Sequence, residues 1–121
     1  MPLLSVVTGC YNERDNVVEL YERVRRVFAQ SLPGIDFEMI FIDNASTDDT
    51  VGLLRELAAR DRRVKVIVNN RNFGAVRSGY HGLLQARGDA VIGMASDLQD
   101  PPEMIPQFVA KWREGYKIVL A

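Results

Sequence analysis

The sequence predicts an α/β fold built on a mostly parallel β-sheet with helices on both faces. Short β-branched apolar runs alternate with stretches whose apolar residues recur every three or four positions, as on one face of a helix. Polar turns separate the two kinds of segment, and no internal repeat or low-complexity tract interrupts them. Because strands joined by helical crossovers run parallel with right-handed connections, this alternation indicates one sheet covered on both sides.

Five strands and four helices are predicted. The apolar runs that predict strands span 3–8, 37–42, 64–68, 89–94 and 116–121. The helical stripes span 17–28, 51–58, 76–86 and 101–112. Asn16 with Glu19 resembles a capping box for the first helix, and Ser46 or Asp48 is able to cap the second.

Length, composition and charge exclude several classes of protein. The 121 residues correspond to one domain or part of one, and a hydrophobic content of 47% excludes wholesale disorder. Lys plus Arg number 15 and Asp plus Glu 16, so the net charge of −1 provides no global attraction to nucleic acid. No apolar run approaches the roughly 20 residues of a membrane-spanning helix. A single cysteine allows no internal disulfide, so a reducing, cytoplasmic setting is expected.

The chain ends in an apolar predicted strand with no polar tail, whereas native termini usually fray into solvent-tolerant residues. We therefore expect residues 1–121 to be the front part of a longer protein. The oligomeric state stays open, and a homo-oligomer is one alternative, because an exposed sheet edge can pair between copies.

Polar residues follow the predicted strands at the edge where parallel sheets bind ligands, the carboxyl ends of the strands. The candidate binding residues at this edge are Gly9, Cys10, Tyr11, Asn12, Glu13, Asp43, Arg71, Gly74 and Ser96. An arginine fork and the bare amides at the start of a helix both suit a phosphate group. The sequence therefore predicts a ligand-binding site at this edge.

Asp97, Asp100 and the oxygen donors beside them could hold a divalent cation. Oxygen ligands two or three residues apart at a strand end can converge on Mg²⁺ or Mn²⁺, which take carboxylate, amide and phosphate oxygens together. A nucleotide diphosphate needs such a cation, because carboxylates alone would repel it. The ion would also stabilise the charge that develops as a diphosphate leaves.

The same residues have purely structural interpretations. Asp97 and Asp100 could cap the following helix and complement its dipole, which is the more common role for acids in such a segment alone. Asp43 could be an acid that starts a turn, and Arg71 a solvated surface arginine. Gly74 could serve only the geometry of its turn.

Four segments, taken together, resemble the family 2 glycosyltransferases, which have the Rossmann-like GT-A nucleotide-binding fold. The segments are 6–13 (VVTGCYNE), 42–48 (IDNASTD), 71–74 (RNFG) and 97–103 (DLQDPPE), and they occur in that family's order. The resemblance spans most of the chain and is strongest to the polyprenyl-phosphate branch, which includes dolichol-phosphate mannose synthases and bactoprenol glucosyltransferases. Segment 97–103 is its most specific part.

The resemblance implies inverting transfer of a sugar from a UDP- or GDP-linked donor to a polyprenyl-phosphate or saccharide acceptor. It assigns Tyr11, Glu13 and Asp43 to the base and ribose. It makes Asp97 the catalytic carboxylate and, with Gln99, a ligand of Mg²⁺ or Mn²⁺. Residues 1–121 would be the donor-binding part, inactive alone. The acceptor-binding part would lie further along a full-length protein at the cytoplasmic face of the membrane.

Three departures from the family's pattern affect the site. Ala95 stands where the acidic motif Asp-x-Asp-x-Gln usually begins, which alters the ligands available to a metal. Gly9 stands where proline is common, and Asn44-Ala45 where Asp-Gly is common, so base or sugar selection could differ.

Two other functions are compatible with this fold class. A regulatory module such as a receiver-like domain would need a phosphoacceptor acid after the third strand, where the sequence has Asn69-Asn70-Arg71. A sugar nucleotidyltransferase usually opens with a glycine-rich loop and a basic residue after the first strand, and the segment 9–13 lacks that chemistry. Both functions are less consistent with the sequence than a glycosyltransferase.

Overall fold

A computed structural model describes residues 2–72, 74–99 and 101–116. The strands are β1 (Leu3–Cys10), β2 (Asp36–Asp43), β3 (Val64–Val68) and β4 (Ala90–Ala95). The helices are α1 (Val17–Ser31), α2 (Thr50–Arg60), α3 (Ala75–Gln85) and α4 (Ile105–Arg113), and a 3₁₀ turn (Pro102–Met104) precedes α4. Four predicted strands and four predicted helices are confirmed. The fifth predicted strand, 116–121, falls almost wholly outside the described residues.

The sheet has the order β3-β2-β1-β4, and all of its strands run parallel. In the register of β1, Cys10 lies opposite Asp43 of β2, and Gly9 lies opposite Ala95 of β4. Val68 of β3 also lies opposite Asp43. The carboxyl ends of the strands therefore meet at one edge, as the alternation of strands and helices predicted.

Alternate residues of the central strands face two separate cores. On one face, large side chains at most 1% exposed pack beneath α1, α2 and α4, among them Leu4, Phe37, Met39 and Phe41. On the other face, a smaller core of Val7, Ile40 and Ile42 lies beneath α3. Within the described residues, no helix is long and apolar enough to cross a bilayer.

Helix α3 lies close to the sheet because residue 82 is glycine. A Cβ atom at Gly82 would lie 2.2 Å from Cδ1 of Ile42 and 2.6 Å from Cγ1 of Val7. Only a residue without a side chain fits between α3 and the sheet at this position. The position of α3 matters because one wall of the cavity described below belongs to it.

A buried carboxylate fixes the end of α3. Glu38 is 3% exposed and accepts hydrogen bonds from the Ser5 hydroxyl, the Lys65 ammonium and the N–H of Arg87 (2.6 Å). The Ser5 hydroxyl also accepts a bond from the N–H of Gly88 at 2.8 Å. Burial alone would raise the pKa of Glu38, but these bonds outweigh it and hold the pKa below its usual value. Glu38 thus joins three strands to the turn after α3.

The start of α1 differs from the sequence prediction. Asn16 makes no side-chain capping bond, and its amide donates instead to the Glu13 carboxylate at 2.8 Å. The carbonyl of Glu13 accepts from the N–H groups of Asn16 and Val17, so the predicted Asn16–Glu19 capping box was wrong. At the start of α2, Asp48 does accept from the N–H of Thr50 at 3.0 Å.

Replacing Glu38 with alanine should lower the free energy of unfolding by about 3 kcal/mol, because the Ser5 hydroxyl and the Arg87 amide lose their buried acceptor. Urea denaturation at pH 7 measures the loss. Glu56→Ala removes an exposed carboxylate from α2 and serves as the control. A loss for Glu38→Ala no larger than the control's would contradict the role of this network.

A second carboxylate makes stability depend on pH. The Arg63 guanidinium donates to both oxygens of Asp61 at 3.0 Å and holds its pKa at about 2, against an ordinary 3.8. The Tyr21 hydroxyl donates to Asp61 as well, at 2.7 Å, which ties α1 to the end of α2. Since the folded-state pKa is the lower one, this stabilisation is present above pH 3.8 and is lost as the pH falls through about 2.

Asp61→Asn should therefore cost roughly 2 kcal/mol of unfolding free energy at pH 7 and very little near pH 2. Denaturant titrations across this pH range measure the change in slope. Asp15→Asn, at a carboxylate whose side chain is 90% exposed, should leave the pH profile unchanged. An Asp61→Asn profile parallel to that of the parent protein would refute the assignment.

Candidate functional site

A cavity of about 600 Å³ opens at the carboxyl edge of the sheet, on the face that α3 covers. Its floor consists of Val7 and Gly9 of β1 and Gly93 and Ala95 of β4, which are paired across the two strands and face the same side. A Cβ atom built at Gly9 or Gly93 meets nothing within 4 Å. The small residues of the floor therefore leave room for a ligand against the strands.

The walls of the cavity come from several loops and from α3. The residues that line them are Cys10, Tyr11, Glu13, Asn44, Asn72, Gly74, Leu83, Met94, Ser96 and Asp97. Backbone and polar groups thus surround a largely apolar floor, and the volume lies in the range of sites for small molecules and nucleotides.

Hydrogen bonds join the loops after β1 and β2 into one unit. The N–H of Asn12 donates to the Ser46 hydroxyl at 2.9 Å, and the side-chain oxygen of Asn12 accepts from the N–H of Thr47 at 2.8 Å. Asn12 has φ 52°, in the left-handed region that asparagine tolerates better than most residues. The N–H of Glu13 donates to the Thr50 hydroxyl at 3.0 Å. Asn12, a candidate binding residue in the sequence, therefore also connects the two loops.

Asp43 lies behind the wall of the cavity. It is 0% exposed, one carboxylate oxygen accepts from the N–H of Ser46 at 2.9 Å, and the other accepts from the Ser46 hydroxyl. Its carbonyl accepts from the N–H of Asn69 at 2.9 Å, and the Asn69 amide donates to the side-chain oxygen of Asn44 at 2.9 Å. Through these bonds Asp43 holds the loops after β2 and β3 together.

Cys10 links the ends of β1 and β4. Burial, opposed by a hydrogen bond with Ser96 and assisted by the charges of Asp43 and Glu13, raises the pKa of its thiol to about 12. Cys10 is 2% exposed and Ser96 is 5% exposed. The thiol is therefore neutral at pH 7, and no nucleophilic role follows from its place in the cavity.

The acidic turn after β4, residues 96–99, presents Asp97 to the cavity. Asp97 is exposed, and one of its oxygens accepts from the N–H of Gln99 at 3.2 Å. Among the residues that the structure describes, no side chain caps the 3₁₀ turn that follows, so the capping interpretation does not hold for Asp97. Gln99 is exposed beside it, and Asp100 lies outside the described residues.

Few protein ligands for a metal converge at this turn. Among the residues that the structure describes, no group of three or more His, Cys, Asp or Glu side chains could hold a metal ion. Ala95 contributes only a methyl group to the floor. From the described residues a cation at Asp97 would gain one carboxylate, and its other oxygen ligands would come from groups outside them, such as the bound ligand and water, as is common for Mg²⁺.

The two candidates after β3 differ in position. Gly74 has φ 84°, precedes the first turn of α3 and lines the cavity, and its N–H donates to the side-chain oxygen of Asn72 at 2.8 Å. Arg71 is exposed and lies outside the cavity wall. Leu83 and Gly93 line the cavity and were not predicted as site residues. A lone glycine inside a strand, such as Gly93, is a signal that something approaches the backbone closely.

Sequence comparison identifies relatives of known class. The uncharacterized glycosyltransferase YkcC of Bacillus subtilis is 38% identical over 117 residues, which are 97% of this chain and 36% of YkcC. The bactoprenol glucosyl transferase of Shigella phage SfV is 38% identical over 118 residues, which are 98% of this chain and 38% of the phage protein. The chain thus spans little more than a third of the length of these relatives.

Structure comparison identifies GT-A glycosyltransferases and confirms the predicted fold. S. aureus TarS 1–349 in complex with UDP matches with a TM-score of 0.73 and 25% identity, over 92% of this chain and 32% of that chain. The mannosyltransferase PcManGT from Pyrobaculum calidifontis, solved with GDP-Man and Mn²⁺, matches with a TM-score of 0.71 and 22% identity, over 89% of this chain and 31% of that chain.

The family profile described as Glycosyl transferase family 2 matches residues 5–121, which is nearly the whole chain. This match agrees with the four sequence segments, with the parallel sheet and with the cavity at its carboxyl edge. The chain therefore belongs to glycosyl transferase family 2.

Proposed function

We propose that this chain is the donor-binding domain of an inverting enzyme that transfers a sugar from a nucleoside-diphosphate donor to a polyprenyl phosphate. The observation that carries the proposal is the cavity, which has Tyr11 and Glu13 in the loop after β1 and Asp97 in the turn after β4. A nucleoside diphosphate has an aromatic base with its ribose at one end and a charged diphosphate at the other. The loop after β1 suits the first end, and the turn after β4 suits the second. The UDP complex of TarS supports this class of ligand.

The nucleoside end is assigned to the loop after β1. The Tyr11 side chain is 47% exposed at the cavity, so its ring offers a face on which a base can stack. The Glu13 carboxylate and the Asn44 amide also line the cavity and can bond to ribose hydroxyls or to base edges. Asp43 acts here through Ser46, by holding the loop that carries Asn44 in place.

The diphosphate end is assigned to the start of α3 and to the acidic turn. Gly74 has no side chain, so a phosphate can approach the backbone N–H groups at the start of α3. The Arg71 guanidinium lies in the same loop. Asp97 and Gln99 would hold Mg²⁺ or Mn²⁺ together with the diphosphate oxygens. The donor set fits such an ion only in that combination, because Asp97 is the one carboxylate of the described residues 96–99. When bound, the cation offsets the charge that develops on the leaving diphosphate.

The proposed reaction does not depend on a general base. A phosphate acceptor is already ionised at neutral pH, so its oxygen can attack the anomeric carbon directly. Attack from the face opposite the departing diphosphate forms the new C–O bond as the old one breaks, and this inverts the anomeric carbon. The chain's own task is to orient the donor and to stabilise the leaving group's charge.

The acceptor assignment rests on relatives and not on the cavity. The phage relative is named for bactoprenol, and the chain covers 38% of that relative's length. We propose that the acceptor-binding part lies outside residues 1–121 and that the full-length enzyme works at the cytoplasmic face of the membrane. The donor-binding part alone would then bind nucleotide without catalysing transfer.

Asp97→Asn should weaken binding of UDP or GDP about ten-fold in the presence of Mn²⁺ and leave metal-free binding unchanged, because one carboxylate anchors the cation. Calorimetric titration of both nucleotides, with and without Mn²⁺, measures the two affinities. Asp15→Asn is the matched control, since its side chain is 90% exposed. Equal Mn²⁺-dependent affinities in Asp97→Asn and in the parent protein would reject Asp97 as a ligand.

Tyr11→Ala should weaken binding of a nucleoside monophosphate and of the corresponding diphosphate by the same factor, about five-fold, because the lost stacking involves only the base. UMP and GMP are titrated without metal, and UDP and GDP with Mn²⁺. Tyr116→Ala removes another exposed tyrosine that does not line the cavity. A loss of affinity for the diphosphates alone would contradict the assignment of Tyr11 to the base.

A further inference from the structure

We infer that the ion pair between Arg23 of α1 and Glu103 of the 3₁₀ turn is a positioning element that orients Asp97 for metal-dependent nucleotide binding. The inference rests on the proposed function and adds residues outside the cavity to it. Nε of Arg23 donates to Oε2 of Glu103 at 3.1 Å, and Nη2 donates to Oε1. The pair joins residues 80 positions apart in the sequence.

The acidic turn 96–99 has a backbone that needs support from its surroundings. Leu98 has φ 66°, a left-handed conformation that a residue with a Cβ atom adopts at a cost. Such a conformation persists only where neighbouring structure determines it. The Asp97 carboxylate comes directly before Leu98, so its direction depends on the same contacts.

Anchors lie on both sides of this turn. Before the turn, the buried Ser96 forms a hydrogen bond with Cys10 at the end of β1. After it, Pro102 is buried and Ile105 is 0% exposed in the main core. These apolar contacts hold the chain against the core but have no directional preference along the surface of α1. The paired bonds from Arg23 to Glu103 supply that direction.

The ion pair differs from an ordinary surface pair in its geometry. The Arg23 side chain is 25% exposed and that of Glu103 is 54% exposed. Glu19 lies 3.8 Å from Nη1 of Arg23, one turn earlier in α1. The hydrogen bond from Arg23 lowers the pKa of Glu103, so the pair stays ionised throughout the neutral range. A planar guanidinium with two bonds to one carboxylate fixes an orientation, which a single ammonium contact does not.

The test uses the intact protein and four variants. Arg23→Met keeps much of the apolar stem and removes the charge, and Glu103→Gln keeps the shape and removes the partner's charge. The double variant Arg23→Glu with Glu103→Arg reverses the pair. Arg25→Met is the matched control, because Arg25 pairs with Glu22 within α1 and not with the acidic turn.

Two readouts separate positioning from general stability. Amide hydrogen exchange of Asp97, Leu98 and Gln99 without ligand should rise about two- to five-fold in Arg23→Met and in Glu103→Gln. Affinity for UDP or GDP in the presence of Mn²⁺ should fall by a similar factor of about two to five, while metal-free affinity stays constant. The reversed pair should restore both quantities, and Arg25→Met should change neither.

The inference is overturned if Arg23→Met matches Arg25→Met in both readouts, or if metal-free and metal-dependent affinities fall equally. Failure of the proposed function looks different. The parent protein itself would then bind neither nucleotide in a metal-dependent way. In that event the exchange rates alone decide whether Arg23 holds the acidic turn, and unchanged rates reject it.

Discussion

Parallel pairing of β1 with β2 on one side and β4 on the other is the constraint on which the site depends. The pairing places Cys10 opposite Asp43 and Gly9 opposite Ala95, so the loops that follow three strands begin within two strand spacings, about 10 Å, of one another. A shift of one residue in either pairing would turn Gly9 or Ala95 to the opposite face and remove the floor of the cavity. Because β1 is paired on both sides, most of its residues are buried.

Carboxylates at the two ends of the sheet differ in how many hydrogen bonds they accept. Near the amino end, Glu38 is buried and receives bonds from a hydroxyl, an ammonium and a backbone amide, so its charge is compensated within the protein. At the carboxyl end, Asp97 is exposed and accepts one long bond from its own turn. A carboxylate whose oxygens already accept several hydrogen bonds has fewer lone pairs free to coordinate a cation. The contrast is the physical reason for assigning structure to Glu38 and ligand binding to Asp97.

The sequence was sufficient to predict the strands and helices because their apolar periods are long and regular, and parallel topology then determined which loops share an edge. It was not sufficient to predict what each polar side chain does there. Asn12 and Asp43 stand at the expected edge, yet the bonds of Asn12 to Ser46 and Thr47 and those of Asp43 to Ser46 hold loops together. The bonds of Asn12 join residues 34 and 35 positions apart, and those of Asp43 lie within a single turn, so neither leaves a periodic signal in the sequence. The failed Asn16 cap has a local cause, since the Glu13 carbonyl takes the first amides of α1.

The replacement of an acid by Ala95 has an energetic consequence under the proposed function. With Asp97 as the sole carboxylate among the described residues of the turn, a cation gains little from the protein alone and must take further oxygens from a diphosphate. Binding of metal and binding of nucleotide are then strongly coupled, and thermodynamic linkage requires that each raise the affinity for the other by the same factor. A second carboxylate at position 95 would raise the affinity for the ion by itself and so weaken that coupling. Under the proposed function, the methyl group of Ala95 would thus leave much of the metal coordination to the donor.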